Sequence, residues 1–142
     1  MINLEKIFKN KLTKENFVNV NFSELAENIV IKIKPKESNL KKYIGLEHLD
    51  TESLKIRRFG DPEKLVGDKL MISKGDIIFA KRNSYLKRAA ISEIDAIASA
   101  HSLVLRAKSL KMQPNFFGYF MLSETFWKRA IKISVGSLSP TI

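Results

Sequence analysis

Hydrophobic positions recur at helical spacing near both ends of this chain, and they alternate or run continuously between. Leu4, Ile7, Phe8 and Leu12 share one helical face and predict a short amphipathic helix. An extended connector over 16–21 follows, carrying Phe17, Val18 and Val20. Ser23 and Glu24 predict a helix start that lasts one turn through Leu25 and Ala26. The period then changes. Ile29, Ile31 and Ile33 alternate with Val30, Lys32 and Lys34, which predicts a half-buried strand closed by Pro35. After a basic loop over 36–42, extended structure resumes at 43–46, and 54–57 alternates again with Lys55 and Arg57 on the wet face. Ile77-Ile78-Phe79-Ala80 is a continuous apolar run of strand length, and 86–91 and 101–106 predict two further strands. In the second of these, Ser102, Val104 and Arg106 share one face while Leu103 and Leu105 share the other. Gly60-Asp61-Pro62, Gly67-Asp68 and Ser73-Lys74-Gly75-Asp76 are turn signals: Gly tolerates positive φ and Pro presets φ.

The last third is helical in pattern. Pro114 suits a first turn, where its missing N–H costs nothing, and Phe116, Phe117, Phe120 and Met121 form an apolar stripe. Ser123 is placed to cap a second helix, with Phe126, Trp127, Ala130 and Ile131 inward and Lys128, Arg129 and Lys132 outward. Gly136-Ser137 predicts its end. The expected architecture is α+β: a twisted, mainly antiparallel sheet with helices packed at the C-terminal end. Residues 1–21 are expected as helix and connector, and 22–142 as one domain.

Composition removes several chemistries. At 142 residues the chain has room for one domain. It has no cysteine, so disulfides, thiolate metal sites and thiol nucleophiles are excluded. His48 and His101 are its two histidines, too few for a histidine-rich metal site. The N-terminus mixes charges without the apolar core of a signal peptide, and the 116–122 stretch is far too short to cross a bilayer. A cytoplasmic protein with no membrane association is the expectation.

Charge is more informative. Twenty-five Lys and Arg against fifteen Asp and Glu give a net charge of +10. Half of that excess lies in 101–142, where six cations face Glu124 alone. Such a surface attracts polyanions by steering them in and releasing their counterions.

Catalytic constellations are missing. There is no Gly-x-Gly-x-x-Gly, no P-loop and no Gly-x-Ser-x-Gly elbow. No acidic residue precedes a lysine by two positions, so the Glu-x-Lys half of a metal-dependent nuclease site is missing. Gln113-Pro114-Asn115-Phe116 has the wrong order for the Asn-Pro-Pro-aromatic loop of an amino-methyltransferase. His48 and His101 each suit a structural place better than a base. The expectation is a non-catalytic chain with no cofactor and no metal.

What remains is the segment Lys81-Arg82-Asn83-Ser84-Tyr85-Leu86-Lys87-Arg88, lying between two expected strands as a hairpin-like loop. Arg and Lys neutralise phosphates and pair with guanine O6 and N7, Asn pairs with adenine N6 and N7, and Tyr and Ser donate to either. The bland alternative is an exposed charged hairpin.

The order of segments resembles the target-recognition domain of type I restriction–modification specificity subunits. Tyr43-Ile44-Gly45-Leu46-Glu47-His48-Leu49 resembles that family's Tyr-[Ile/Val]-Gly-Leu-Glu segment, and Lys74-Gly75-Asp76-Ile77-Ile78-Phe79 its Lys-Gly-Asp strand. Tyr85-Leu86-Lys87 is similar to a later Pro-Tyr-Leu-x-Lys region, with Ser84 replacing the proline. Ser99 to Arg106 resembles a strand ending Val-Leu-Arg, and Pro114-Asn115-Phe116-Phe117 with Gly136-Ser137 resembles the closing helical region. The resemblance implies sequence-specific binding of double-stranded DNA, reading one half of a bipartite target. It implies as partners a modification methyltransferase subunit and a restriction endonuclease/translocase subunit. A full specificity subunit carries two such domains joined by spacer helices. This chain ends at Thr141-Ile142, so a homodimer or a longer gene product is the expected context. Arg82, Asn83, Tyr85 and Lys87 are expected near DNA, with Lys81 and Arg88 on phosphates. Lys41, Lys42, Arg57, Arg58 and His101 form a second rank. The rival readings are a protein-interaction domain whose basic face docks a methyltransferase subunit, and a fragment of a single-chain restriction–modification enzyme.

Overall fold

A computed structural model describes residues 21–108 and 114–133, and the predictions at 1–20 and at Gly136-Ser137 lie outside them. The chain builds two four-stranded sheets rather than one. The strands are β1 (Ala26–Asn28), β2 (Lys32–Ile33), β3 (Tyr43–Ile44), β4 (Lys69–Ile72), β5 (Ile77–Ala80), β6 (Ala89–Ile91), β7 (Ala96–Ala98) and β8 (Ser102–Ala107). The first sheet runs β1-β8-β5-β6, antiparallel throughout, and the second runs β2-β4-β7-β3 with β3 parallel to β7. Among the described residues three α-helical pieces accompany them: α1 (Phe22–Leu25), α2 (Pro114–Met121) and α3 (Glu124–Ile133).

The period of two in the central strands explains the layering. Ile78, Ala80, Ala90 and Val104 leave one face of the first sheet and meet Ile44, Leu70, Ile72 and Ala98 of the second. Ile77, Phe79, Ala89 and Leu105 leave the other face and meet Phe117, Met121, Trp127 and Ala130 of α2 and α3. The first sheet is therefore the middle of three layers. That is why 77–80 is apolar at every position: all four residues are buried. Phe79 stacks on Trp127 with ring centroids 4.8 Å apart and planes 17° from parallel. Such a pair contributes about 0.5–1.5 kcal/mol beyond its buried area.

Both long helices begin and pack for legible reasons. The Phe126 N–H donates to Ser123 Oγ at 3.3 Å, the cap expected from sequence. In α2 the inward line is Phe117, Gly118 and Met121, while Phe116 is 63% exposed, contrary to the predicted stripe. Gly118 is the reason for the turn of the helix. A Cβ there would lie 2.5 Å from Ile91 Cδ1 and 3.2 Å from Leu54 Cδ1, so glycine lets α2 settle onto β6. Ile131 of α3 is likewise more exposed than its inward assignment.

Three predicted strands take another form. At 29–33, the Ile29 N–H closes the first sheet on the Val104 carbonyl at 2.8 Å, and Ile31 accepts from Met71 in the second sheet at 2.8 Å. The chain crosses between sheet edges at Val30, so Val30 and Ile31 are exposed while Ile29 is buried. The 54–57 segment touches the ladder at one bond, Ile91 N–H to the Leu54 carbonyl, and runs irregularly past the edge of β6. Leu86 belongs to a 3₁₀ turn over Ser84–Leu86, so β6 starts at Ala89. Three strands, β1, β4 and β7, were not anticipated; Ala26, expected in the helical turn after Ser23, instead opens β1 and pairs with Ala107. Ala96-Ile97-Ala98 is wholly buried but mostly small, and Ile97 as its one β-branched residue gives little strand signal in sequence.

Candidate nucleic-acid interface

Strands β5 and β6 pair through Ile77–Ile91, Ile78–Ala90 and Phe79–Ala89, which makes 81–88 the loop that joins them. The loop is shaped by two left-handed residues, Asn83 at φ 53° and Lys87 at φ 49°, flanking the 3₁₀ turn. Asn visits this region with little penalty and Lys much less readily. Ser84 is buried inside the loop, whereas Arg82 and Tyr85 are exposed. One flank is fastened: Thr51 Oγ1 donates to the Leu86 carbonyl at 2.8 Å, and the Glu52 N–H to the Lys87 carbonyl at 3.4 Å.

The basic residues of the loop divide into two kinds. Arg82 presents its guanidinium to solvent, and Lys81 sits half-buried at the loop's base. The Lys81 N–H donates to the His101 carbonyl at 3.1 Å, so His101, itself exposed, stands beside the start of the loop. Lys87 lies 3.7 Å from the Glu124 carboxylate at the start of α3. Arg88, expected on phosphate, is half-buried and donates through Nη1 to the Leu46 carbonyl at 2.9 Å. Its placement ties the loop to the neighbouring 3₁₀ turn at Leu46–His48.

Of the second-rank residues, His101 belongs with the loop, while Lys41, Lys42, Arg57 and Arg58 lie on other segments of the chain. Tyr43 and Gly60 exchange backbone hydrogen bonds of 3.1 and 2.8 Å, an antiparallel bridge that sets Lys42 and Lys41 opposite Asp61 and Pro62. Lys42 Nζ lies over the exposed Phe59 ring, 5.3 Å from its centroid. Arg57 and Arg58 both reach Asp50. The next residue, Thr51, bridges to Arg88, so the 46–52 segment links Arg57 and Arg58 to the loop. Sequence reading missed Asp50 and Thr51: an acid and a hydroxyl in a polar stretch carry no local signal of what they fasten.

His48 has a structural occupation. Its Nδ1 accepts the Gly45 N–H at 2.9 Å, and the Tyr43 ring meets its imidazole edge-on at 5.9 Å. Burial pushes the Tyr43 phenol above its ordinary value, a hydrogen bond with Ser99 opposes this, and the Glu47 charge adds to it. Among the described residues no group of three His, Asp or Glu is arranged to hold a metal ion, and no helix is long and apolar enough to cross a membrane.

No family model matches the sequence, and no curated protein matches it. Solved structures do. The HsdS subunit from Thermoanaerobacter tengcongensis superposes over 87% of this chain with a TM-score of 0.70 at 22% identity. A chain from a structure explaining complex assembly and conformational transition of the type I R-M system covers the same 87% with a TM-score of 0.72 at 21% identity. In each case this chain spans 34% of the neighbour's length. The α+β fold expected from sequence, with its C-terminal helices, is thus the fold of part of a type I restriction–modification specificity subunit.

Proposed function

We propose that this chain is a sequence-specific double-stranded DNA recognition module of a type I restriction–modification system, reading one half of a bipartite target. The observation that carries the reading is the 81–88 loop. On a fold shared with a specificity subunit, it projects Arg82 and Tyr85 into solvent beside Lys81 and His101. Catalysis belongs to partner subunits, a modification methyltransferase and a restriction endonuclease/translocase, and a second copy of the module supplies the other half-site. The loop has the size and chemistry of sheet-borne groove readers. If five to eight phosphates are engaged, the slope of log affinity against log salt is about −4.5 to −7. Selection of bound duplexes from a random pool, followed by sequencing, tests the reading. An enriched half-site supports it, and a pool that stays random removes it.

One observation favours a second reading, a protein-interaction domain that docks the methyltransferase subunit. An apolar groove of about 600 Å³ lies over Phe22, Leu105 and Phe126, with Lys128, Arg129 and Lys132 along it. Gel shifts with and without the methyltransferase subunit separate the two, because duplex binding only in its presence favours docking.

A further inference from the structure

Successive side chains of an extended segment point to opposite sides. Arg57 and Arg58 nevertheless converge on one acceptor. Asp50 Oδ2 accepts from Arg57 Nη1 at 3.2 Å and Oδ1 from Arg58 Nη2 at 2.5 Å, while Arg57 Nη1 also reaches Ser53 Oγ at 3.2 Å. The irregular course of 53–59 is what turns the two side chains together. Both arginine side chains remain more than half exposed, at 59% and 57%, and Asp50 is 34% exposed. Lys42 stands over the ring of Phe59, the residue after Arg58. Two guanidiniums gripping the two oxygens of one anion is also the way paired arginines hold a phosphate.

We infer that Asp50 is a resident counter-ion occupying the place a DNA phosphate would take between Arg57 and Arg58, and that it restrains sequence-independent binding. The inference rests on the DNA-binding reading. A pair this exposed contributes little to folding. An approaching phosphate, however, meets the carboxylate's charge directly. It must displace Asp50 from both arginines, which only a correctly positioned backbone does with full compensation. Backbones in other registers meet repulsion and half-neutralised cations.

The test compares wild type, Asp50→Asn and Asp50→Glu on a random-sequence duplex by fluorescence anisotropy over a range of salt. Asp50→Asn, isosteric and uncharged, binds ~3- to 10-fold tighter at low salt, and its salt slope is steeper by up to about 1.8 for two freed guanidiniums. Asp50→Glu keeps the charge and stays within about twofold of wild type. Unchanged or weaker binding by Asp50→Asn overturns the inference, as does an equal gain in Asp50→Glu. Where thermal melting shows Asp50→Asn unfolded, Asp50→Ser replaces it under the same expectations. Heparin, a polyanion without bases, distinguishes the two failures. If no variant binds duplex but Asp50→Asn elutes from heparin at higher salt than wild type, the DNA reading falls and the counter-ion role stands. If the elution salt is also unchanged, both fall.

Discussion

Arg106 holds Asp76 through two parallel hydrogen bonds, Nε to Oδ1 at 2.7 Å and Nη2 to Oδ2 at 2.9 Å. Asp76 is 1% exposed, and its Oδ2 also accepts the Ser73 N–H at 2.8 Å across the turn that Gly75 makes at φ 93°. The pair therefore fastens the β4–β5 turn to β8. Asp76 and Arg106 come from two of the segments that resemble specificity subunits, Lys-Gly-Asp and Val-Leu-Arg. Their shared purpose here is structural. The carboxylate in turn holds the Arg106 guanidinium firmly in its charged form.

Arg106→Ala leaves a buried carboxylate without its cation. Breaking a buried pair costs about 3–5 kcal/mol, and the partial solvation of Arg106 reduces this to about 2–3 kcal/mol. Urea unfolding measures it. A loss below about 0.5 kcal/mol, the ordinary range of surface changes, contradicts the assignment.

Gly118→Ala drives a methyl against Ile91 Cδ1 and destabilises by about 1–3 kcal/mol, the cost of overpacking. Adding Ile91→Val removes that Cδ1 and recovers part of the loss. Additive penalties in the thermal melts of the double variant would show that the close approach is not the cause.

Lys87 separates backbone strain from charge. Its left-handed φ suits glycine, so Lys87→Gly is more stable than Lys87→Ala by about 1 kcal/mol. If the ammonium meets phosphate, both variants lose DNA affinity equally. Equal melting temperatures of the two would remove the strain argument.

Arg82→Ala costs ~1–3 kcal/mol of DNA binding and relaxes preference at one position if Arg82 reads a base. Repeating the duplex selection with the variant checks this. A uniform loss over all sequences assigns Arg82 to a phosphate instead.

Tyr43 gives a pH signature. Its folded value is raised by burial, so the unfolded chain loses this proton first as pH climbs through about 10. Below that pH the contribution to stability is fully present, and it is lost as pH rises through the folded value. Tyr43→Phe consequently shows a shallower fall of stability above about pH 10 than wild type, followed by urea midpoints. Parallel curves would contradict it.

The sequence by itself determined what depends on neighbours along the chain. The two-faced strand at Ile77–Ala80, the alternation of Ser102, Val104 and Arg106 against Leu103 and Leu105, and the Ser123 cap were all readable. Local period and hydrogen-bonding capacity set them. The basic loop between β5 and β6 was readable for the same reason. Tertiary structure alone decided which side chains meet. It split 29–33 between two sheets, paired Asp76 with Arg106, turned Arg88 inward to Leu46, and gathered Arg57 and Arg58 on Asp50. Those meetings come from the packing of separate segments, and the period of any one segment holds no record of its partner.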